Sequence, residues 1–383
     1  LVDALRRRLG GLNVWGVDGR RLQEAGSDLL FDTSRSSAIG IVQASKLILP
    51  GLVIERKAQQ RAKSSPPDLA VAVDFGAFNL RIAPFLRSLS IPVAYWFPPG
   101  SWRRTTPSER ILSAADYFIS PYPWYAESLR EAGANADFLG HPLLDQVQPK
   151  LTRDDFMARM GLAQDSELIA LLPGSRGHEV QYILPVMIEA AAILAQRQQR
   201  LTFVVPISDH YSGDEASTLV SAALRSCASK GLPKPDIALA KASTQEAISH
   251  AKAAAVCSGS ATLEALIALT PMVIVYRGSK MMKLEYRLRR VNIKYMGMPN
   301  ILADAPIATE LRQDEATGES IASNLELLLE GEVRERQLGH LADIRKMLEP
   351  AGALDRTADA LLAWFLKSQG VGRDLSTAGR SEQ

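Results

Sequence analysis

The sequence predicts an α/β protein of two doubly wound domains facing each other across a cleft. Three observations carry that reading. A length of 383 residues exceeds one ordinary domain, at roughly 100–200 residues each. Short β-rich runs alternate with helical stretches along nearly the whole chain, so they read as βαβ units, with parallel strands and helices on both faces of each sheet. The strand signal then stops between Gly140-His141-Pro142-Leu143 and Pro149, which marks a boundary. The expected parts are residues 1–148, 149–345, a C-terminal helix 346–368 that returns to the first domain, and a disordered tail 369–383.

In chain order, strands are expected at 12–17, 68–73, 92–97, 117–120 and 136–139, with helices at 77–89 and 125–132. After the break a charged helix, 152–160, leads into strands at 168–172, 201–206, 236–240, 253–257 and 271–276. Ala360–Leu366, with Trp364 and Phe365, is apolar enough to dock on the protein, whereas the Gly-, Ser- and Arg-rich residues after it have no apolar period.

Composition narrows the function. Lys and Arg total 44 against 42 Asp and Glu, so net charge gives no reason to expect a nucleic-acid partner. Cys227 and Cys257 cannot build a disulfide framework and read as small core residues. The five histidines lack metal-ligand spacing, so neither a metal nor an organic cofactor is expected. The longest apolar run, Leu47–Ile54, is broken by Pro50-Gly51 and is too short to span a bilayer. The expectation is a cytoplasmic chain without a signal peptide, touching membranes only peripherally.

Two segments carry chemistry. In Leu172-Pro173-Gly174-Ser175-Arg176 a strand ends in a turn and a helix starts near Glu179. Gly174 would let backbone N–H groups approach an oxyanion, and Arg176 adds a planar fork of donors suited to phosphate. An ordinary turn with a solvated Arg is the plain alternative. In Cys257-Ser258-Gly259-Ser260-Ala261-Thr262-Leu263-Glu264 a strand again opens a helix, whose first N–H groups and dipole suit a second phosphate. Glu264, about one and a half turns in, could accept from two ribose hydroxyls. Helix capping and a solvated face are the plain alternatives. Paired, the segments describe a nucleoside diphosphate site, and neither GxGxxG nor GxxxxGK[ST] is present.

These segments, with Met298-Pro299-Asn300-Ile301-Leu302-Ala303, Phe78-Asn79-Leu80-Arg81, Phe138-Leu139-Gly140-His141-Pro142-Leu143 and Pro271–Arg277, resemble the signature segments of lipid-A-disaccharide synthases, in order over about residues 3 to 365. The resemblance implies a GT-B glycosyltransferase. It would move 2,3-diacylglucosamine from UDP to an acylated glucosamine 1-phosphate lipid, with inversion, at the cytoplasmic membrane face. It also implies that Gly174, Ser175 and Arg176 meet the diphosphate and that Ser258, Gly259, Ser260, Ala261 and Thr262 wrap the phosphates. Glu264 would hold the ribose, and Arg277 and Asn300 would lie near the donor. Asn79 would lie on the acceptor side, His141 would face the cleft or fix the hinge, and Gln245, just ahead of a helix at 246–251, would contact the nucleotide or simply lie at the surface. A homodimer through the Trp364-Phe365 helix is a further implication.

The chain also departs from the family pattern. It opens downstream of a Gly-Glu-x-Ser-Gly-Asp loop, so the first strand and loop are expected to be missing. Where the family has Asp-x-Pro-Asp, this chain reads Asp74-Phe75-Gly76-Ala77. Alanine cannot take the acceptor's proton, and general-base help is worth about 10²–10⁴-fold in rate. Asp74 is the remaining candidate base; capping of its loop is the alternative. The loop Phe97-Pro98-Pro99-Gly100-Ser101-Trp102-Arg103-Arg104 also differs. Trp102 and Arg103, with Arg104, offer an aromatic plate beside two cations, suited to a sugar or an anionic head group.

Two mixed apolar-basic stretches, Ala44–Lys57 and Met281–Lys294, suit an interfacial contact; a packed helix with snorkelling cations is the alternative. Three competing functions remain. A diverged family member would glycosylate another glycolipid acceptor. A UDP-sugar epimerase would turn over its substrate without acceptor or detergent. A nucleotide-sugar binder, suggested by Ala77, would bind UDP without transfer.

Overall fold

The computed structural model describes residues 1–18, 20–32, 48–198, 200–207, 213–241, 243–279 and 294–370. Residues 281–293 of the second apolar-basic stretch, 44–47 of the first, and the tail from 371 lie outside the described residues. The chain forms two compact units, Leu1–Pro142 with Pro350–Gln383, and Leu143–Glu349. The division thus falls inside the stretch without strand signal, at Pro142, and the second unit runs to Glu349.

In the first unit, β1 (Trp15–Asp18) and β2 (Asp28–Asp32) form a parallel pair. β3 (Ala70–Val73), β4 (Val93–Trp96), β5 (Tyr117–Ser120) and β6 (Ala136–Phe138) form a second parallel sheet in that order. β4 and β5 are buried at every position, as strands covered on both faces must be, so they read as unbroken apolar runs. The helix Ala353–Ser368 belongs to this unit. Its Leu361 is fully buried, and Trp364 stacks on Tyr117 with ring centroids 5.3 Å apart. Its outer side pairs Asp355 with Arg7 at 3.0 Å and with Arg8 at 2.9 Å, on the helix Val2–Leu9. Trp364, expected to suit a dimer contact, is therefore already engaged within its own unit.

Arg356 ties the two crossings of the chain at the edge of this unit. Its Nε and Nη2 donate to the Leu139 carbonyl at 3.1 and 2.8 Å, and Nη2 also donates to Pro350 at 2.6 Å. Gly140 has φ +89°, and a Cβ there would collide with the Pro350 carbonyl. Glycine is therefore required by the close approach of the two segments.

The second unit holds one parallel sheet. Its strands are β7 (Glu167–Leu172), β8 (Leu201–Ile207), β9 (Ile237–Lys241), β10 (Ala253–Cys257), β11 (Met272–Tyr276) and β12 (Glu310–Arg312). Their order is β12-β11-β10-β7-β8-β9. The chain thus starts in the middle, winds outward one way, then returns to β10 beside β7 and winds the other way. That is the doubly wound pattern, and its strand order reverses between β7 and β10. The long helix Gly177–Arg197 buries Ile183, Met187, Ala190 and Leu194 in a core shared with Ile321, Ala322 and Leu325 of the helix Gly318–Glu326.

β2 and β12 were not expected. Asp28–Asp32 is charged at both ends and Glu310–Arg312 is only three residues long, so neither shows a usable period. Gln245 lies within the helix Thr244–His250, not ahead of it.

Candidate active site

The two turns singled out in the sequence close neighbouring strands. Leu172 of β7 pairs with Val256 of β10, so Pro173–Arg176 and Ser258–Ser260 emerge side by side at the strand-order reversal. Such a reversal is where the carboxyl ends of parallel strands part and ligands enter. Each turn opens a helix, Gly177–Arg197 and Ser260–Ile267, so two sets of helix N–H groups converge there.

The first turn is held by a residue to which the sequence assigned no role. Glu179, the third helical residue, is buried, and its Oε2 accepts from the backbone N–H groups of Ser175 and Arg176, each at 3.2 Å. Its Oε1 accepts from Arg176 Nη1 at 3.0 Å. A Cβ on Gly174, where φ is +106°, would lie 2.5 Å from Glu179 Oε2. The oxyanion that approaches this glycine closely is thus the chain's own carboxylate. The spacing was visible, since a Glu three places after an N-cap is half of a capping box. Arg176 remains exposed while paired with Glu179.

The second turn divides into used and open groups. Ser258 Oγ donates to the Met296 carbonyl at 2.8 Å. Thr262 is fully buried; its hydroxyl donates to Gly259 at 2.7 Å and accepts from the Met298 N–H at 3.0 Å. These two hydroxyls therefore fix the segment before the helix Met298–Ala303 instead of facing solvent. Gly259 and Ser260 are exposed, and a Cβ on Gly259 would meet open space. Ala261 and Glu264 are half-buried on the same helix.

Asn300, expected near the donor, is engaged within the protein. It is 1% exposed, and its amide is spent on the carbonyl and N–H of Ala308, both at 2.8 Å, and on Glu310 Oε1 at 2.9 Å. Glu310 also accepts from the Met296 and Gly297 N–H groups, so this pair shapes the segment on which Ser258 and Thr262 rest. Arg277 follows β11 and donates to the Ala316 carbonyl at 2.9 Å. Cys257 is buried against the first turn, and burial, with the nearby Glu179, pushes its thiol up to about 12. It is a packing residue, not a nucleophile.

In the first unit, the turn after β3 is strained. Asp74 and Phe75 both take left-handed φ, +44° and +34°. Asn79, buried, holds them there: its amide donates to the carbonyls of Val73 at 2.9 Å and Asp74 at 2.8 Å. The Tyr95 hydroxyl adds a second bond to the Asp74 carbonyl at 2.8 Å. Asn79 therefore shapes the turn instead of facing an acceptor. The Asp74 residue is exposed on the whole, yet enough protein surrounds its carboxyl to disfavour the charge. Desolvation raises its pKa above the ordinary carboxylate value, opposed by a bond from the Phe75 N–H. Ala77 is exposed three residues on, in the first turn of the helix Gly76–Ser88.

His141 is 2% exposed and does not face solvent. Its ring packs edge-on to Phe97 and tilts against Tyr122, with centroids 5.5 Å away in each case. Burial lowers its pKa to about 4, so it is neutral at pH 7. Trp102 is exposed, with the Arg103 guanidinium 5.8 Å from its ring.

A profile of the lipid-A-disaccharide synthetase family matches residues 1–362. The chain belongs to that family. A lipid-A-disaccharide synthase of Myxococcus xanthus is 35% identical over 367 residues, covering 94% of this chain and 92% of that one. Among solved structures, CalG4, the calicheamicin glycosyltransferase, aligns with a TM-score of 0.58 at 15% identity, over 96% of this chain and 94% of that one. A UDP co-structure of MnaA from S. aureus aligns at 0.59 and 11%, over 97% and 93%. At these identities the likeness concerns the fold, which is of GT-B type with two Rossmann-like units. In this chain Asp74 is the carboxylate of the turn after β3, with Ala77 three places on.

Proposed function

We propose that this chain is a UDP-sugar-dependent glycosyltransferase that joins two acylated glucosamines into a lipid A precursor disaccharide. The observation that carries the reading is the adjacency, at the strand-order reversal of one sheet, of a turn bearing the exposed Arg176 and a turn opening a helix at Gly259–Ala261. Arg176 and the open N–H groups at Gly259–Ala261 would receive the diphosphate, and Glu264 the ribose. The donor is read as UDP-2,3-diacylglucosamine, the acceptor as an acylated glucosamine 1-phosphate lipid.

In the transfer, an acceptor hydroxyl oxygen attacks the anomeric carbon of the donor from the face opposite UDP. The bond to the phosphate oxygen breaks, and UDP leaves with the electron pair. The hydroxyl proton passes to Asp74, whose raised pKa suits a base better than an ordinary carboxylate. Arg176 and the helix dipole favour the charge that grows on the diphosphate. No metal or organic cofactor enters this reading. Lipid substrates must be met at a surface, and the exposed Val53, Arg56 and Lys57 on the helix Ile48–Ser64 support a peripheral, cytoplasmic-face location.

The test is incubation with UDP-2,3-diacylglucosamine and the acylated glucosamine 1-phosphate, reading UDP release and product mass. A disaccharide of the summed mass is expected. Ala77 favours a second reading, a binder without turnover; UDP affinity with no product under any acceptor would select it.

A further inference from the structure

The loop after β4 carries two arginines that nothing among the described residues neutralises: neither Arg103 nor Arg104 has an ion-pair partner there. Both are exposed, and each sits on an indole. Arg104 stands 4.4 Å over Trp124, and Arg103 is 5.8 Å from Trp102. Trp124 is itself fixed, because it stacks on Tyr122 at 5.1 Å and Tyr122 rests against the buried His141. A column of rings therefore holds Arg104 in place, and a face-on contact with an indole leaves the guanidinium donors available to an anion.

The loop is also braced against the Asp74 turn. A Cβ on Gly76 would lie 2.5 Å from Pro99 Cγ, and the Tyr125 hydroxyl donates to the Pro99 carbonyl at 3.2 Å. Two uncompensated cations thus lie on a rigid support at the carboxyl ends of β3 and β4. Their combined charge matches a phosphate monoester, which carries about −1.5 to −2 at neutral pH and presents three acceptor oxygens. A phosphodiester offers one charge and two such oxygens.

Resting on the transfer reading above, we propose that Arg103 and Arg104, seated on Trp102 and Trp124, bind the phosphate monoester of the acceptor lipid and so select which lipid is glycosylated. The probe is a short-chain, water-soluble 2,3-diacylglucosamine 1-phosphate and its counterpart lacking the phosphate, titrated against the full chain in neutral detergent. The wild type is expected to prefer the phosphorylated probe by about 10- to 100-fold, as charge-assisted hydrogen bonds allow. Arg103→Ala/Arg104→Ala should bring that ratio close to one while leaving UDP affinity unchanged; Arg104→Lys, which keeps charge but loses the fork, should restore part of it. A wild type without the preference, or a double variant that retains it, overturns the proposal. So does an effect seen only with anionic phosphatidylglycerol vesicles, which would assign the arginines to the membrane surface. Failure of the transfer reading is read separately, as absence of UDP release with every acceptor.

Discussion

Asp74 combines three properties that seldom coincide by chance: a left-handed backbone, a carbonyl clamped by Asn79 and Tyr95, and a carboxyl with a raised pKa. A base must be ionised to act, so activity should climb with pH through a limb displaced above the ordinary carboxylate value. Asp74→Asn should remove that limb and lower kcat by about 10²–10⁴-fold, with UDP affinity retained. A pH profile of turnover alongside calorimetric UDP titration checks both, and unchanged turnover would eliminate Asp74 as the base. At Glu179 the expectation is structural. Glu179→Gln keeps the shape but weakens three hydrogen bonds, which should cost about 1–3 kcal/mol in urea unfolding.

The helix Ser260–Ile267 and the segment leading into Met298–Ala303 act as one element through Thr262. Thr262→Val preserves volume but orphans the Met298 N–H. An expected loss of about 1–3 kcal/mol should come with faster hydrogen exchange at Met298, while Val→Thr reversion restores both. At this scale much of the architecture was legible. β7 and β10 are continuous apolar runs followed by small-residue turns, a pattern that parallel strands buried on both faces impose. Roles inside the turns were not. Ser258, Thr262, Asn79 and Asn300 have the right residue types for ligand contacts, yet their hydrogen bonds run to other groups of the protein. No local pattern distinguishes a hydroxyl aimed at a phosphate from one aimed at a carbonyl 38 positions away, as in Ser258 and Met296. The aromatic column beneath Arg104 was equally hidden, because its rings come from two different strand ends.

For the molecule as a whole, His141 links stability to acidity. Folding lowers its pKa from 6.5 to about 4, so the unfolded chain binds the extra proton between those values. Stability attached to this residue is complete above pH 6.5 and is lost as pH falls towards 4, by about 3 kcal/mol at most. Melting temperature measured between pH 4 and 7 should fall on the acid side, and His141→Phe should flatten that part of the curve. A slope unaffected by the substitution would place the acid sensitivity elsewhere.

The knot at Arg356 has a consequence for biosynthesis. The Leu143–Glu349 unit is an insertion between two stretches of the other unit, and its entry and exit points meet at Leu139 and Pro350. A ribosome therefore delivers everything the inserted unit needs before it delivers the helix that finishes the outer one. Maturation should run from the inside outward, with Leu1–Pro142 waiting for the segment that starts at Pro350. The guanidinium of Arg356 is then the clasp that shuts only after the inserted unit has been translated.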